Sequence, residues 1–416
     1  MTTPKHVLII AVGSRGDVAP CTGVGARLLE AGYTVTIAAD KAYAELVTDA
    51  GLHFEPLGTD LGGDRSEASR GYARDGLFSR SGVNMVRAAT QFVRTTNGKV
   101  ADVASDCAAD ILLLNPLASA GYHVAQARGI PSLGVHLQPQ QPTRELPPMV
   151  IGRSLGRFGN RATGRLLRLS ERMFFAGIND IRADCGLSPT TLAATYREQA
   201  AQQWPILHGI SRHVVPRPSD WRPGLDIVGY WWPATPAGWT PPERLRQFLD
   251  AGDPPVFVGF GSTDPGQSEQ LSHTVTTALR RAGRRGIIQA GWAELTSTDD
   301  DMLTIDDVPH EWLFPRTAAV VHAASAGVTA AGLRAGIPAV PIPMTGDQPF
   351  WARRLTSLGV SPAAVPVKRL STDRLGAALR EAIGNPAYRD RAATLKPGIG
   401  AEDGAGRVLE AINALT

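Results

Sequence analysis

Four segments of the chain place acids, hydroxyls or a histidine directly after a short apolar run. "VGSRGDVAP" (12–20) follows "HVLIIA" and supplies Ser14, Arg15 and Asp17. A carboxylate there can take a proton from an alcohol as general base; it can equally do no more than cap the following helix. "GST" after "VFVGF" offers backbone N–H groups and the Ser262 hydroxyl, a set that suits an anion or makes an unliganded turn. "HAASAGVT" (322–329) opens on His322 and runs into a helix beginning near Gly327. The free N–H groups and dipole of that helix favour phosphate; a histidine beside an apolar strand can also be purely structural. "TGDQPFW" after "AVPIPM" carries Asp347 and Gln348. An acceptor and an amide side by side can hold two hydroxyls of a polyol; Asp347 alone could cap a helix.

The elements that must position these residues alternate. "HVLIIA", "YTVTIAAD", "DILLLNP" and "IPSLGVHL" read as strands in the first half, with helical patterns such as "CTGVGARLLEAG", "KAYAELVTDAG" and "NMVRAATQFVRTTNGKVADVA" between them. "PVFVGFG", "GIIQAG", "MLTIDDV", "AAVVHA" and "AVPIPM" repeat the alternation in the second half. Strands that are apolar throughout, spaced by helices, predict parallel sheets covered on both faces. "PRPSDWRPGLDIVGYWWPATPAGWTP" (216–242) is crowded with proline and glycine and reads as a linker with the strand that leads out of it. The fold expected is α/β, two doubly wound domains facing a cleft. Ligands in such sheets sit beyond the carboxyl ends of the strands, where the four segments lie. A basic stretch follows Leu155, with arginines at 157, 161, 165, 168 and 172, and reads as a solvated helical face extending to Cys185.

Composition narrows the class. The chain has 416 residues, enough for two domains, and a net charge of +3, too small to argue for nucleic acid or an anionic membrane. Cys21, Cys107 and Cys185 are far apart and odd in number, so neither a disulfide framework nor a zinc spacing is visible. The N-terminal apolar run has the length of a strand and no cleavage site after it, and no stretch is long enough to span a bilayer. These features predict a cytoplasmic protein.

The segments "GSRGDVAP", "VGFGST", "QAGWAEL", "IDDVPHEWLFPRTAAVVHAASAGVTAAGLRAGIPAVPI" and "GDQPFWARRL" together resemble the inverting nucleotide-sugar glycosyltransferases of the GT-B architecture. The similarity covers nearly the whole chain. It is strongest to bacterial relatives of sterol glucosyltransferases and to glycopeptide-antibiotic glycosyltransferases. The resemblance implies two Rossmann-like domains: an acceptor domain over 1–215, a linker over 216–242, a nucleotide-sugar domain over 243–395 and a C-terminal helix over 396–416 near the domain junction. It implies Asp17 as general base, with Ser14, Asn115 and His136 on the acceptor side. Asn115 stands where histidine-based branches carry a second acid, which agrees with Asp17 working alone. On the donor side it implies His322, Ser262 and the amides of Gly327, Val328 and Thr329 at the diphosphate, Val308 and His310 along the nucleobase with Trp292 near it, and Asp347 with Gln348 at the sugar.

The reaction implied is a single displacement at the anomeric carbon of a UDP-sugar or dTDP-sugar, UDP-glucose first, without a metal or other cofactor. The acceptor is expected to be a small hydrophobic natural product, bound by first-domain loops near 57–84 and 137–155. One departure stands out. The family loop reads His-His-Gly-Gly-Ala-Gly-Thr-Thr, whereas this chain has Ala324 and Ser325 for two glycines and Val328 for a threonine. If the backbone at 324 or 325 is left-handed, a side chain there costs about 1 kcal/mol or more. The alternatives are a nucleotide-sugar epimerase of the same fold and a sugar-nucleotide-binding protein without catalysis.

Overall fold

The computed structural model describes residues 4–59, 80–168, 170–236, 238–261, 268–291, 295–297 and 300–415. Seven strands form the first sheet: β1 (His6–Ile10), β2 (Thr34–Ala39), β3 (His53–Pro56), β4 (Ile111–Leu114), β5 (Ser132–His136), β6 (Ile206–His208) and β7 (Leu225–Ile227). Their spatial order is β3-β2-β1-β4-β5-β6-β7. Five form the second: β8 (Val256–Gly259), β9 (Gly286–Gln289), β10 (Met302–Ile305), β11 (Ala319–His322) and β12 (Ala339–Pro341), ordered β10-β9-β8-β11-β12. Every pairing is parallel. Val7 sits opposite Val35 on one side and Ile111 on the other, and His322 lies between Gly259 and Pro341.

Parallel strands need crossovers, so helices cover both faces and the central strands are buried throughout. Leu8, Ile10, Leu112, Val256 and Val320 are fully buried accordingly. In each sheet the strand order reverses once, between β1 and β4 and between β8 and β11. A crevice opens at such a reversal. The first is flanked by the loop leading to Asp17 and by Asn115; the second by Gly261 and His322.

All nine quoted strands form, and three further ones, β3, β6 and β7, add to the first sheet. The expected boundaries shift in three places. The strand inside 216–242 is β7, which pairs with β6, so the first domain runs past residue 215. The tail is not one helix from 396. A helix ends at Gly400, the chain turns, and a second helix, Gly404–Leu415, returns to the first domain. There Val408 and Ile412 pack with Val24 and Leu28, and the Tyr33 hydroxyl meets Asn413 at 2.8 Å. The basic stretch after Leu155 is broken into a helix Gly156–Leu167, a 3-10 turn Ser170–Phe175 and a helix Ile178–Asp184. Gly177, left-handed at φ +79°, keeps the last of these helices from joining the segment before it.

The return of the tail depends on glycine. A Cβ on Gly404 would lie 2.4 Å from the Gly229 carbonyl oxygen and 2.6 Å from that of Tyr230. Gly98, inside the helix Arg80–Asp106, has open space where a Cβ would go. Gly404→Ala should therefore lower stability by the overpacking cost of about 1–3 kcal/mol, and with it the thermal midpoint. Gly98→Ala should raise stability by up to about 1 kcal/mol through helix propensity, and raise the midpoint. Equal effects in a melting experiment would contradict this packing.

Burial also reaches histidines of the first domain. His208 donates from Nδ1 to the Asp226 carbonyl (2.9 Å) and stacks on Trp221 at 4.6 Å. His123 accepts from Arg182 at 2.9 Å. Burial lowers the pKa of each to about 4, with Arg182 adding to the effect on His123. An unfolded histidine protonates near 6.5, so below that pH the unfolded chain binds protons that the folded one refuses. Stability from these groups is whole above about pH 6.5 and is lost as pH falls toward 4. The melting midpoint should begin to fall below about pH 6.5; one that stays level down to pH 5 would speak against neutral buried histidines.

Candidate active site

Asp17 lies in the first turn of the helix Arg15–Glu30, which starts earlier than the sequence pattern suggested. Its Oδ2 accepts from the Ser14 N–H (2.7 Å) and from Ser14 Oγ (3.0 Å). The capping role is therefore real. Gly13 makes room for it, at φ +146°, where a Cβ would stand 2.2 Å from Oδ2. The half-buried carboxylate also lines a cavity of about 570 Å³, so capping and exposure to the cleft coexist.

That cavity joins the two domains. Asn115 and His136 enter it from the ends of β4 and β5, and Asp347 from the second domain. Asn115 donates from Nδ2 to the Val12 carbonyl (2.7 Å), tying together the two loops at the first strand reversal. Its Oδ1, and Nδ1 of His136, are buried without a hydrogen-bond partner among the described residues. Burial and the neighbouring His208 hold His136 well below the ordinary histidine range. The rest of the wall is largely apolar and includes Leu117, Phe175 and Trp204.

Asp347 accepts from Trp351 Nε1 (2.8 Å). Burial raises its pKa, and the negative charge of Asp17 adds to the rise, while Trp351 and the Gln138 amide oppose it. Gln348 is buried, and its Oε1 accepts from the N–H groups of Met344 (2.7 Å) and Thr345 (3.1 Å). The pair is thus fixed by its own loop: the glutamine carbonyl shapes the backbone, and the indole holds the carboxylate toward Asp17.

The 322–329 loop is built around one bond. His322 Nδ1 accepts from the Ala324 N–H at 3.0 Å, which leaves the ring proton on Nε2. Nε2 is buried with no partner among the described residues, a state that costs about 1–3 kcal/mol unless a ligand accepts from it. Burial, with His310 beside it, lowers the His322 pKa to about 3, so the ring is neutral. Ala324 is left-handed at φ +63°, which costs an alanine about 1–2 kcal/mol. Ser325, at φ −70°, is unstrained. Only one of the two replaced glycines therefore carries a backbone penalty.

The helix Ala326–Ala335 follows at once. Gly327 is exposed, with open space where a side chain would stand; Val328 is half-buried, and Thr329 is buried with Oγ1 unpartnered among the described residues. His310 stacks on Phe314 at 4.3 Å, and its pKa falls to about 4 through burial and nearby Arg15. Val308 is buried in the second domain's core. Asp307 immediately precedes Val308; Arg15 reaches it from the first domain at 2.5 Å and Gln289 Nε2 donates to it at 3.1 Å. Ser262 and Trp292 lie outside the described residues.

Several cavity residues were missed from sequence. Gln138 lies in the 137–155 loop expected on the acceptor side, though it was not singled out there. Thr195 and Tyr196, on the helix Leu192–Ala201, and Glu171 could not have been found, because nothing in their spacing separates them from an ordinary helical face. Thr195 Oγ1 is buried and unpartnered among the described residues. Glu171 accepts from the Tyr196 hydroxyl, and burial pushes its carboxyl up.

Comparison with known proteins agrees with this geometry. Residues 7–147 match the family model described as the glycosyltransferase family 28 N-terminal domain, and residues 287–415 that of the erythromycin biosynthesis protein CIII-like C-terminal domain. A sterol 3-beta-glucosyltransferase of Arabidopsis thaliana is 33% identical over 98% of this chain, which spans 65% of that relative's length. The O-mycaminosyltylonolide 6-deoxyallosyltransferase of Streptomyces fradiae is 31% identical over 96% of this chain and 94% of its own. Among solved structures, the glycotransferase of kitacinnamycin has a TM-score of 0.71 at 19% identity, with both chains covered in full. Glycosyltransferase VinC, solved with dTDP, has 0.68 at 18% over 99% of each chain. Two family domains in order along one chain, and a relative matched over almost its whole length, mean that this protein belongs to the GT-B glycosyltransferases.

Proposed function

We propose that this protein transfers a sugar, with inversion, from a nucleoside diphosphate sugar to a hydroxyl of a largely apolar small molecule. The observation that carries the reading is a single cavity into which one domain sends Asp17 and the other sends Asp347. Asp17 takes the acceptor hydroxyl proton while the oxygen bonds to the anomeric carbon. The bond from that carbon to the diphosphate oxygen breaks, and the electron pair leaves with the diphosphate. His322, through its Nε2–H, and the amides of Gly327 and Val328 stabilise the departing charge as fixed dipoles. Because the ring is neutral, it acts by hydrogen bonding and not by net charge. Asp347 and Gln348 hold the sugar hydroxyls. The names of the Arabidopsis and fungal relatives support glucose as the sugar, with UDP-glucose as donor; a dTDP-deoxysugar is the alternative. A volume of about 570 Å³ with a mainly apolar wall suits a hydrophobic natural product.

The second reading, a binding protein without catalysis, draws on the bonds that hold Asp17 to Ser14 as a helix cap. Titration calorimetry with UDP, dTDP, GDP and UDP-glucose should find one tight nucleotide. His322→Ala should weaken it about 10- to 150-fold, the value of one hydrogen bond to a charged group. Asp17→Asn should leave that affinity within a factor of about two. It should lower acceptor-dependent release of nucleoside diphosphate by at least about 10²-fold. Binding without such release would favour the non-catalytic reading, and conversion of the sugar without an acceptor the epimerase.

A further inference from the structure

Among the described residues, six large hydrophobic side chains are exposed, and four of them, Val150, Leu155, Phe158 and Leu166, fall within seventeen positions. Phe158 is 84% exposed and Leu166 63%. Both lie on the helix Gly156–Leu167, with Ala162 between them at i, i+4, i+8 spacing. Such positions form one stripe along a helix. Arg157, Arg161 and Arg165 repeat the same spacing one residue earlier and form a second stripe beside it. From 146 to 170 the chain has five arginines and no carboxylate.

The opposite face of this helix is seated. Asn160 is buried; its Oδ1 accepts from the Leu155 N–H (2.8 Å) and its Nδ2 donates to the Arg144 carbonyl. Gly164 packs on Pro142 and, with Asn160 and Leu167, lines the cavity. The helix is therefore held in place mainly through its inner face; on the outer one Arg144 lies over the Phe158 ring at 5.8 Å, leaving that ring 84% exposed. Of the three arginines, Arg161 has Asp220 at 3.9 Å, and Arg157 and Arg165 are exposed.

We infer that this face docks on the surface of an anionic lipid bilayer, with Phe158 and Leu166 in the headgroup boundary and the arginines against lipid phosphates. An apolar stripe flanked by basic residues on a helix that lies flat is the pattern of interfacial binding. A second copy of the chain is disfavoured, because a self-complementary contact would bring the two arginine stripes together. Docking would set the cavity's roof helix on the membrane. The inference stands apart from the transferase reading, since it concerns the outer face alone.

Sedimentation of the full chain with vesicles tests it. Wild type should pellet with vesicles of phosphatidylcholine mixed with phosphatidylglycerol, far less with phosphatidylcholine alone, and binding should weaken as salt rises. The double variant Arg157→Gln with Arg165→Gln should partition about 30-fold less, at about fivefold per basic residue. Phe158→Asp with Leu166→Asp should abolish pelleting while its melting midpoint stays that of wild type, because both side chains are exposed. Wild type left in the supernatant with anionic vesicles would overturn the inference, as would variants that pellet like wild type. A dimer in light scattering that Phe158→Asp with Leu166→Asp dissociates would overturn it too, by assigning the face to a second copy.

Discussion

A parallel strand can rejoin its sheet only through a crossover, and the crossover delivers every strand's carboxyl end to the same edge. Two sheets of this kind, facing one another, confine the chemistry of the whole chain to one seam. Asp17, Asn115 and His136 have no other reason to be neighbours: they are separated by about a hundred residues or by a helix and a strand. Their meeting follows from the order β1-β4-β5. In the second sheet the same order rule places His322 beside Gly259 and two strands away from β9, whose last residue, Gln289, donates to Asp307 just beyond β10.

Within that seam the loop after β11 shows how local chemistry compensates for lost glycine. The left-handed turn survives on an alanine because two effects oppose its cost. The Ala324 N–H bonds to His322, and its methyl is fully buried in the second domain's core. Burying one methyl group contributes about 0.8 kcal/mol and a hydrogen bond about 1, together comparable to the 1–2 kcal/mol of strain. The same bond fixes which ring nitrogen carries the proton. One interaction thus sets the backbone, the tautomer and the direction of the following helix.

The architecture was legible wherever burial on both faces made a strand apolar throughout, as in "HVLII", "ILLL" and "AVVH". It was illegible in β3 and β6, segments of four and three residues at or next to a sheet edge: β3, "HFEP", is largely exposed, and β6, "ILH", is buried but too short to show a pattern. The residues at strand ends could be read by position alone. Those contributed by the helix layer, such as Thr195 and Glu171, could not, because a helix shows the same periodicity whether its inner face meets a core or a cavity. The first turn of the Arg15 helix was read as loop because Gly13, Gly16 and Pro20 are poor helix residues. Gly16 costs little there, since the first four amides have no intrahelical partner, whereas Pro20 stands beyond them, inside the helix.

The tail that returns to the first domain has a mechanical consequence. The polypeptide crosses between the domains twice, once after β7 and once at 401–403, and the two crossings touch: Trp231 Nε1 donates to the Gly404 carbonyl at 3.1 Å. A body tethered at one point can tumble in any direction, whereas two tethers lying side by side act as the two leaves of one hinge. Opening by rotation about that line is cheap, while sliding or twisting would have to shear both strands of chain. Rotation about that line would carry the two sheets, and with them Asp17 and Asp347, along a single arc.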